Sequence, residues 1–166
     1  MADEIIKNLW IGDLDDLKSP DLSKEFDRVI NVLGLIEPSK FGYVSIDILD
    51  ALGIIIDKAL NNGEKVLVHC GAGIERSPLV VAWYLWRHKV STLDKAYKLI
   101  TDKREIVQRR DTTWVQYNDL QYNEMRILRF TSSEKIIMCN LVERLSLPIR
   151  CRNCESEYDE QGYRYS

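Results

Sequence analysis

Lys65-Val66-Leu67-Val68-His69-Cys70-Gly71-Ala72-Gly73-Ile74-Glu75-Arg76-Ser77-Pro78 joins three kinds of sequence in one stretch. It opens on an apolar run of the length of a buried strand. It breaks at His69 and Cys70 into a short loop with two glycines, and beyond Pro78 it continues as an apolar helix. A strand, a tight loop and a helix N-terminus together predict an anion site, because successive backbone N–H groups converge there and the helix dipole adds positive potential. Gly71 and Gly73 allow backbone angles that a side chain would penalise. A cysteine at the base of such a nest has a depressed pKa and exists largely as thiolate near neutral pH. Arg76 can grip two oxygens of a bound phosphate with its planar fork.

His69-Cys70, five residues, then Arg76-Ser77 resembles the signature loop of the cysteine-dependent protein tyrosine phosphatases, and its surroundings are similar to the dual-specificity branch. Leu9-Trp10-Ile11-Gly12 and Val29-Ile30-Asn31-Val32 are similar to the opening of that branch, and the resemblance covers about residues 4–128. Hydrolysis of a phosphomonoester needs a nucleophile, a clamp for the phosphoryl oxygens and a proton for the leaving oxygen. Cys70 is the expected nucleophile, splitting one hard step into two through a phosphocysteine. The amides of Gly71, Ala72, Gly73, Ile74, Glu75 and Arg76, with the Arg76 guanidinium, are the expected clamp. The resemblance implies that His69 supports the loop and the thiolate, and that Ser77 donates its hydroxyl to the sulfur in the second step.

The proton donor should be a carboxyl group on a loop facing the nest. Tyr43-Val44-Ser45-Ile46-Asp47-Ile48-Leu49-Asp50 offers two. In the resembled branch the acid follows the last aliphatic residue of a strand by four positions, which from Ile46 selects Asp50, with Asp47 in reserve. The segment between this aspartate and the next helix is shorter than in the branch, so a helix N-cap is the other reading of Asp50. Arg109 and Arg110 fall where the branch has a loop bordering the mouth of the site; they read either as attractors of a phosphorylated substrate or as solvated charges. His88, near the end of the helix after Pro78, reads as a stabiliser of its C-terminus.

The 166 residues suit one domain with a full core, and the apolar fraction of 45% and charged fraction of 30% are those of a soluble globular chain. The net charge of −3 argues against a nucleic-acid partner held by a broad basic field. The acidic N-terminus lacks the segments of a signal peptide, and the apolar run 79–86 is too short to span a bilayer. No cofactor is expected, and two histidines without a carboxylate cluster argue against a metal-dependent phosphatase. Because Cys70 must stay reduced, a cytoplasmic, reducing compartment is expected.

Residues 5–11 predict one strand, residues 28–33 a second and residues 42–46 a third. Pro20 sits where a short helix carrying Leu22 and Phe26 can begin. Leu52, Ile55, Ile56, Ala59 and Leu60 form one apolar helical stripe, closed by Asn61-Asn62-Gly63. The helix after Pro78 is apolar nearly all round and belongs in the middle of the domain. Ser91 with Asp94 predicts the start of a helix bearing Leu93, Ala96, Tyr97 and Ile100, and residues 112–130 predict another. The fold class is therefore α/β: a central, mostly parallel sheet flanked by helices in a single protein tyrosine phosphatase-like domain. The expected division is a catalytic domain over residues 1–130, a further helix over 131–148 and a polar tail over 149–166. That tail carries Cys151-Arg152-Asn153-Cys154, read as two ordinary cysteines, with a redox pair or a shared zinc site as the other readings.

The leading function is hydrolysis of phosphotyrosine in phosphorylated protein substrates, extended by the branch resemblance to phosphoserine and phosphothreonine. An RNA 5′-phosphatase or phosphoinositide phosphatase would share the chemistry, but basic residues are absent from Gly71 to Ile74. A weakly catalytic phosphate-binding module is a third reading. A sulfur transferase of the rhodanese type is a fourth, disfavoured by the set His69, Arg76, Ser77 and Asp50.

Overall fold

The computed structural model describes residues 1–37 and 44–115. Four short strands form one sheet in the order β1-β2-β4-β3. They are β1 (Asp3–Ile6), β2 (Leu9–Gly12), β3 (Arg28–Asn31) and β4 (Val66–His69). β1 and β2 are antiparallel, whereas β2 and β3 each run parallel to β4. The strand expected over residues 5–11 is thus part of a hairpin. Asn8 turns the chain with φ 68°, a left-handed angle that asparagine tolerates better than most residues.

Alternation along the strands sorts side chains to the two faces. Val66 and Val68 join the large core, while Leu67 packs with Leu22, Phe26 and Val29 on the opposite side. The large core lies under α2 (Ile46–Asn61), α3 (Arg76–His88) and α4 (Leu93–Thr101); the smaller cluster is covered by α1 (Leu22–Glu25). α3 is buried from Ser77 to Trp86, which agrees with its all-round apolar sequence. A sheet with helical layers on both faces is the α/β architecture expected.

Three boundaries differ from expectation. Ile46, expected to end a strand, begins α2, because Ser45 caps the helix by accepting a hydrogen bond from the Ile48 amide. α4 is capped by Thr92 rather than Ser91; its hydroxyl accepts from the Lys95 amide. The helix expected from residue 112 is the single turn α5 (Asp111–Trp114), followed by an extended Val115. The remainder of that helix, the helix over 131–148 and the tail with Cys151 and Cys154 lie outside the described residues. Among the described residues no helix is long and apolar enough to cross a membrane.

Candidate active site

Gly12 of β2 and Asn31 of β3 both stand beside His69, the last residue of β4. The loops leaving these three parallel strands therefore meet at one edge of the sheet, where open α/β sheets place ligands. The stretch 70–75 crosses that edge and enters α3 at Arg76.

What shapes this loop is where its carbonyls go. His69 Nδ1 lies 3.4 Å from the Cys70 carbonyl. The Leu14 amide donates to the Gly71 carbonyl at 3.1 Å and the Gln108 amide to that of Ile74 at 2.8 Å. Between them, Arg104 donates through Nη2 to Ala72 at 3.3 Å and through Nε to Gly73 at 2.8 Å. With every carbonyl from Cys70 to Ile74 engaged outside the loop, the amides are left for its inner side, and the Gly73 N–H points to Cys70 Sγ at 3.3 Å. Gly73 has φ 65°, and a Cβ there would lie 2.6 Å from Arg104 Nη2 and 2.7 Å from the Gly12 carbonyl oxygen. Only glycine fits.

Cys70 is buried at the base of the loop, with the Ser77 hydroxyl 3.3 Å from its sulfur. Burial by itself pushes the thiol pKa up. Hydrogen bonds from the Ser77 hydroxyl and from the amides of Ser77, Gly73 and Arg76 outweigh it, so the thiol ionises below its ordinary value. His69 is held neutral by desolvation, which lowers its pKa against the raising effect of the Cys70 carbonyl, Asp16 and Asp13. Arg76 is one-third exposed, and its Nη1 lies 3.7 Å from Glu37 Oε1. The structure thus brings Cys70, Arg76, Ser77 and His69 together with the loop amides.

Asp50 is placed elsewhere. It lies on the second turn of α2, buried, and accepts hydrogen bonds from Trp83 Nε1 at 2.7 Å and Arg87 Nε at 3.2 Å. It is neither a loop residue nor the N-cap of α2, which is Ser45. Burial raises its pKa against the opposing pull of Trp83 and Arg87. Asp47 stands exposed on the first turn of the same helix.

Both arginines at the mouth are committed to ion pairs. Arg110 binds Glu75 Oε1 through Nε at 2.8 Å and Nη2 at 2.6 Å. Arg109 pairs with Asp94 and Asp111 and covers the Tyr97 ring at 4.9 Å. His88 occupies the last turn of α3, stacked on Tyr84 with Nδ1 3.8 Å from Asp57 Oδ1.

Two site residues escape a reading of the sequence. Arg104 sits in the basic, loop-like stretch 103–110, yet it is 5% exposed and also holds the Met1 carbonyl and Asp3. No local periodicity marks a single buried arginine. Glu37 follows β3, and the signal was topological: the loop after a strand parallel to and beside β4 must end near the anion loop.

A family model described as "Dual specificity phosphatase, catalytic domain" matches residues 43–123. Protein 123R of Invertebrate iridescent virus 6, which carries the name of a tyrosine phosphatase, is 31% identical over 116 residues, covering 63% of this chain and 80% of the viral protein. Dual specificity protein phosphatase 1-A of Xenopus laevis is 40% identical over 52 residues, which are 31% of this chain but 14% of the frog protein. Among solved structures, human DUSP28 matches with a TM-score of 0.54 at 18% identity over 76% of this chain and 93% of that one. A leucine-rich-repeat and phosphatase-domain protein of Entamoeba histolytica matches with a TM-score of 0.57 at 14% identity over 96% of each chain. At such identities the two structures are likenesses of fold.

Proposed function

Because this chain belongs to the dual-specificity branch of the cysteine-dependent protein tyrosine phosphatases, we propose that it hydrolyses phosphotyrosine, and more slowly phosphothreonine and phosphoserine, in proteins through a phosphocysteine intermediate. The observation that carries this reading is the Cys70 thiol, acidified at the base of a loop whose carbonyls all turn outward. The Cys70 thiolate attacks phosphorus while the amides of residues 71–76 and the Arg76 fork hold the phosphoryl oxygens. As the phosphocysteine is hydrolysed, the S–P electron pair returns to sulfur, where the Ser77 hydroxyl and the Gly73 amide stabilise it. His69 keeps the Cys70 carbonyl turned away from the anion. The need for a reduced Cys70 supports a reducing, cytoplasmic compartment.

Depth supports the preference for phosphotyrosine. Cys70 is 4% exposed, and an extended aromatic side chain reaches a recessed sulfur more easily than a short one. Glu75 contributes little to choosing among substrates, since Arg110 neutralises it. A panel at matched ionic strength tests the reading: phosphotyrosine and phosphothreonine peptides, a phosphoinositide and a 5′-phosphorylated RNA. The phosphotyrosine peptide should lead in kcat/KM. A tenfold lead for the lipid or the RNA would overturn the protein-phosphatase assignment and leave the Cys70 chemistry intact.

A further inference from the structure

Asp50 cannot protonate a leaving group from where it lies. Its partners Trp83 and Arg87 lie along α3 beyond Arg76, about 10 and 16 Å of helix axis away at ~1.5 Å per residue. The chemistry still needs a proton at the leaving oxygen. Glu75, on the anion loop itself, is tied to Arg110. Among the described residues, the carboxylate paired with the Arg76 guanidinium is Glu37.

We propose that Glu37 is the proton donor for the leaving group, resting on Arg76 between turnovers. The proposal builds on the covalent phosphatase reading above. β3 runs parallel to β4, and the Val32 amide donates to the His69 carbonyl at 3.0 Å, so the loop after β3 leaves beside Cys70. That loop turns at Gly34, with φ 78°, and the Gly34 amide donates to Glu37 Oε1 at 3.1 Å. This contact aims the carboxyl back toward the anion loop. Its side chain is 55% exposed.

An incoming phosphate dianion takes the Arg76 fork from Glu37. The carboxyl is then released from its guanidinium partner beside the bound phosphate. Glu37 then lies within a side-chain swing of the phosphate. As the S–P bond forms and the P–O bond breaks, the electron pair passes to the leaving oxygen, which takes the Glu37 proton. In the second step the Glu37 carboxylate removes a proton from the attacking water, the new P–O bond forms, and the S–P pair returns to Cys70. Both steps balance without a further reactant.

The test is kcat/KM over aryl phosphates graded from dinitrophenyl to phenyl, for wild type, Glu37→Gln, Asp47→Asn, Asp50→Asn and Cys70→Ser. Glu37→Gln should lose ~10² to 10⁴-fold on phenyl phosphate and less than about tenfold on dinitrophenyl phosphate, because a good leaving group needs no proton. In that variant tungstate affinity should hold or rise, because the carboxylate competing for Arg76 is gone, and the alkylation rate of Cys70 should stay near wild type. A Glu37→Gln enzyme with the wild-type leaving-group dependence and a lowered KM overturns the proposal, since the carboxylate then only competes for Arg76. So does a steep dependence appearing in Asp47→Asn or Asp50→Asn instead. Residual turnover by Cys70→Ser removes the covalent reading and this proposal with it. An inert Cys70→Ser beside an unaffected Glu37→Gln removes this proposal alone.

Discussion

The sulfur of Cys70 is buried, and burial alone would keep it protonated; a few short contacts reverse that. The Ser77 hydroxyl is one of them, at 3.3 Å. Ser77→Ala should raise the thiol pKa, because a donor to the charged form is removed while the desolvation remains. The direction follows from linkage: a depressed thiol pKa means that thiolate forms as pH rises through that lower value, and the variant must reach it later. Iodoacetamide alkylation followed against pH reads this directly, with the midpoint moving to higher pH in Ser77→Ala. An unmoved midpoint would mean that the backbone amides hold the thiolate unaided. Cys70, Arg76 and Ser77 were legible in the sequence because their chemistry is packed into contiguous residues. Counting four positions from a strand end at Ile46 selects Asp50, but Ile46 is the first residue of a helix. The count then led to a buried carboxylate engaged with Trp83 and Arg87.

At the level of elements, the anion loop is held from outside by the segment after α4. Arg104 links the Ala72 and Gly73 carbonyls to Asp3 and to the Met1 carbonyl, so one guanidinium fastens the loop to the start of β1. Arg104→Met keeps the bulk and removes the donors. It should destabilise the protein by about 3 kcal/mol or more, since buried carbonyls and a carboxylate lose their partner. It should also raise KM for aryl phosphates more than it lowers kcat, because the loop amides lose their fixed aim. Urea unfolding and steady-state kinetics check both. A destabilised variant with unchanged KM would limit Arg104 to a structural role. Sequence periodicity could not have revealed this residue: Arg104 is one cation in a basic stretch, and what buries it comes from residues 1–3 and 72–73. The strand pattern was more legible, since the apolar residues at 29–30 and 66–68 report burial on both faces. The hairpin at Asn8 was missed because apolar residues on both sides of the turn read as one run.

Across the whole molecule, the order β1-β2-β4-β3 puts the reactive loop on a central strand with a parallel neighbour on each side. Three loops reach the same edge. One carries the Leu14 amide, one Glu37 and one Cys70. Gln108 and Arg104 close the site from the far end of the described chain. On the proposed reading, this arrangement fixes backbone N–H groups around an anion above a thiolate and serves covalent phosphoryl transfer. Capture of the intermediate tests that most directly: a rapid acid quench during turnover of an aryl phosphate, followed by peptide mass spectrometry. The account predicts a phosphoryl group on Cys70 in wild type and none in Cys70→Ser, which should be inactive. Phosphate release with Cys70 unmodified, or with Cys70→Ser still turning over at the wild-type rate, would contradict it.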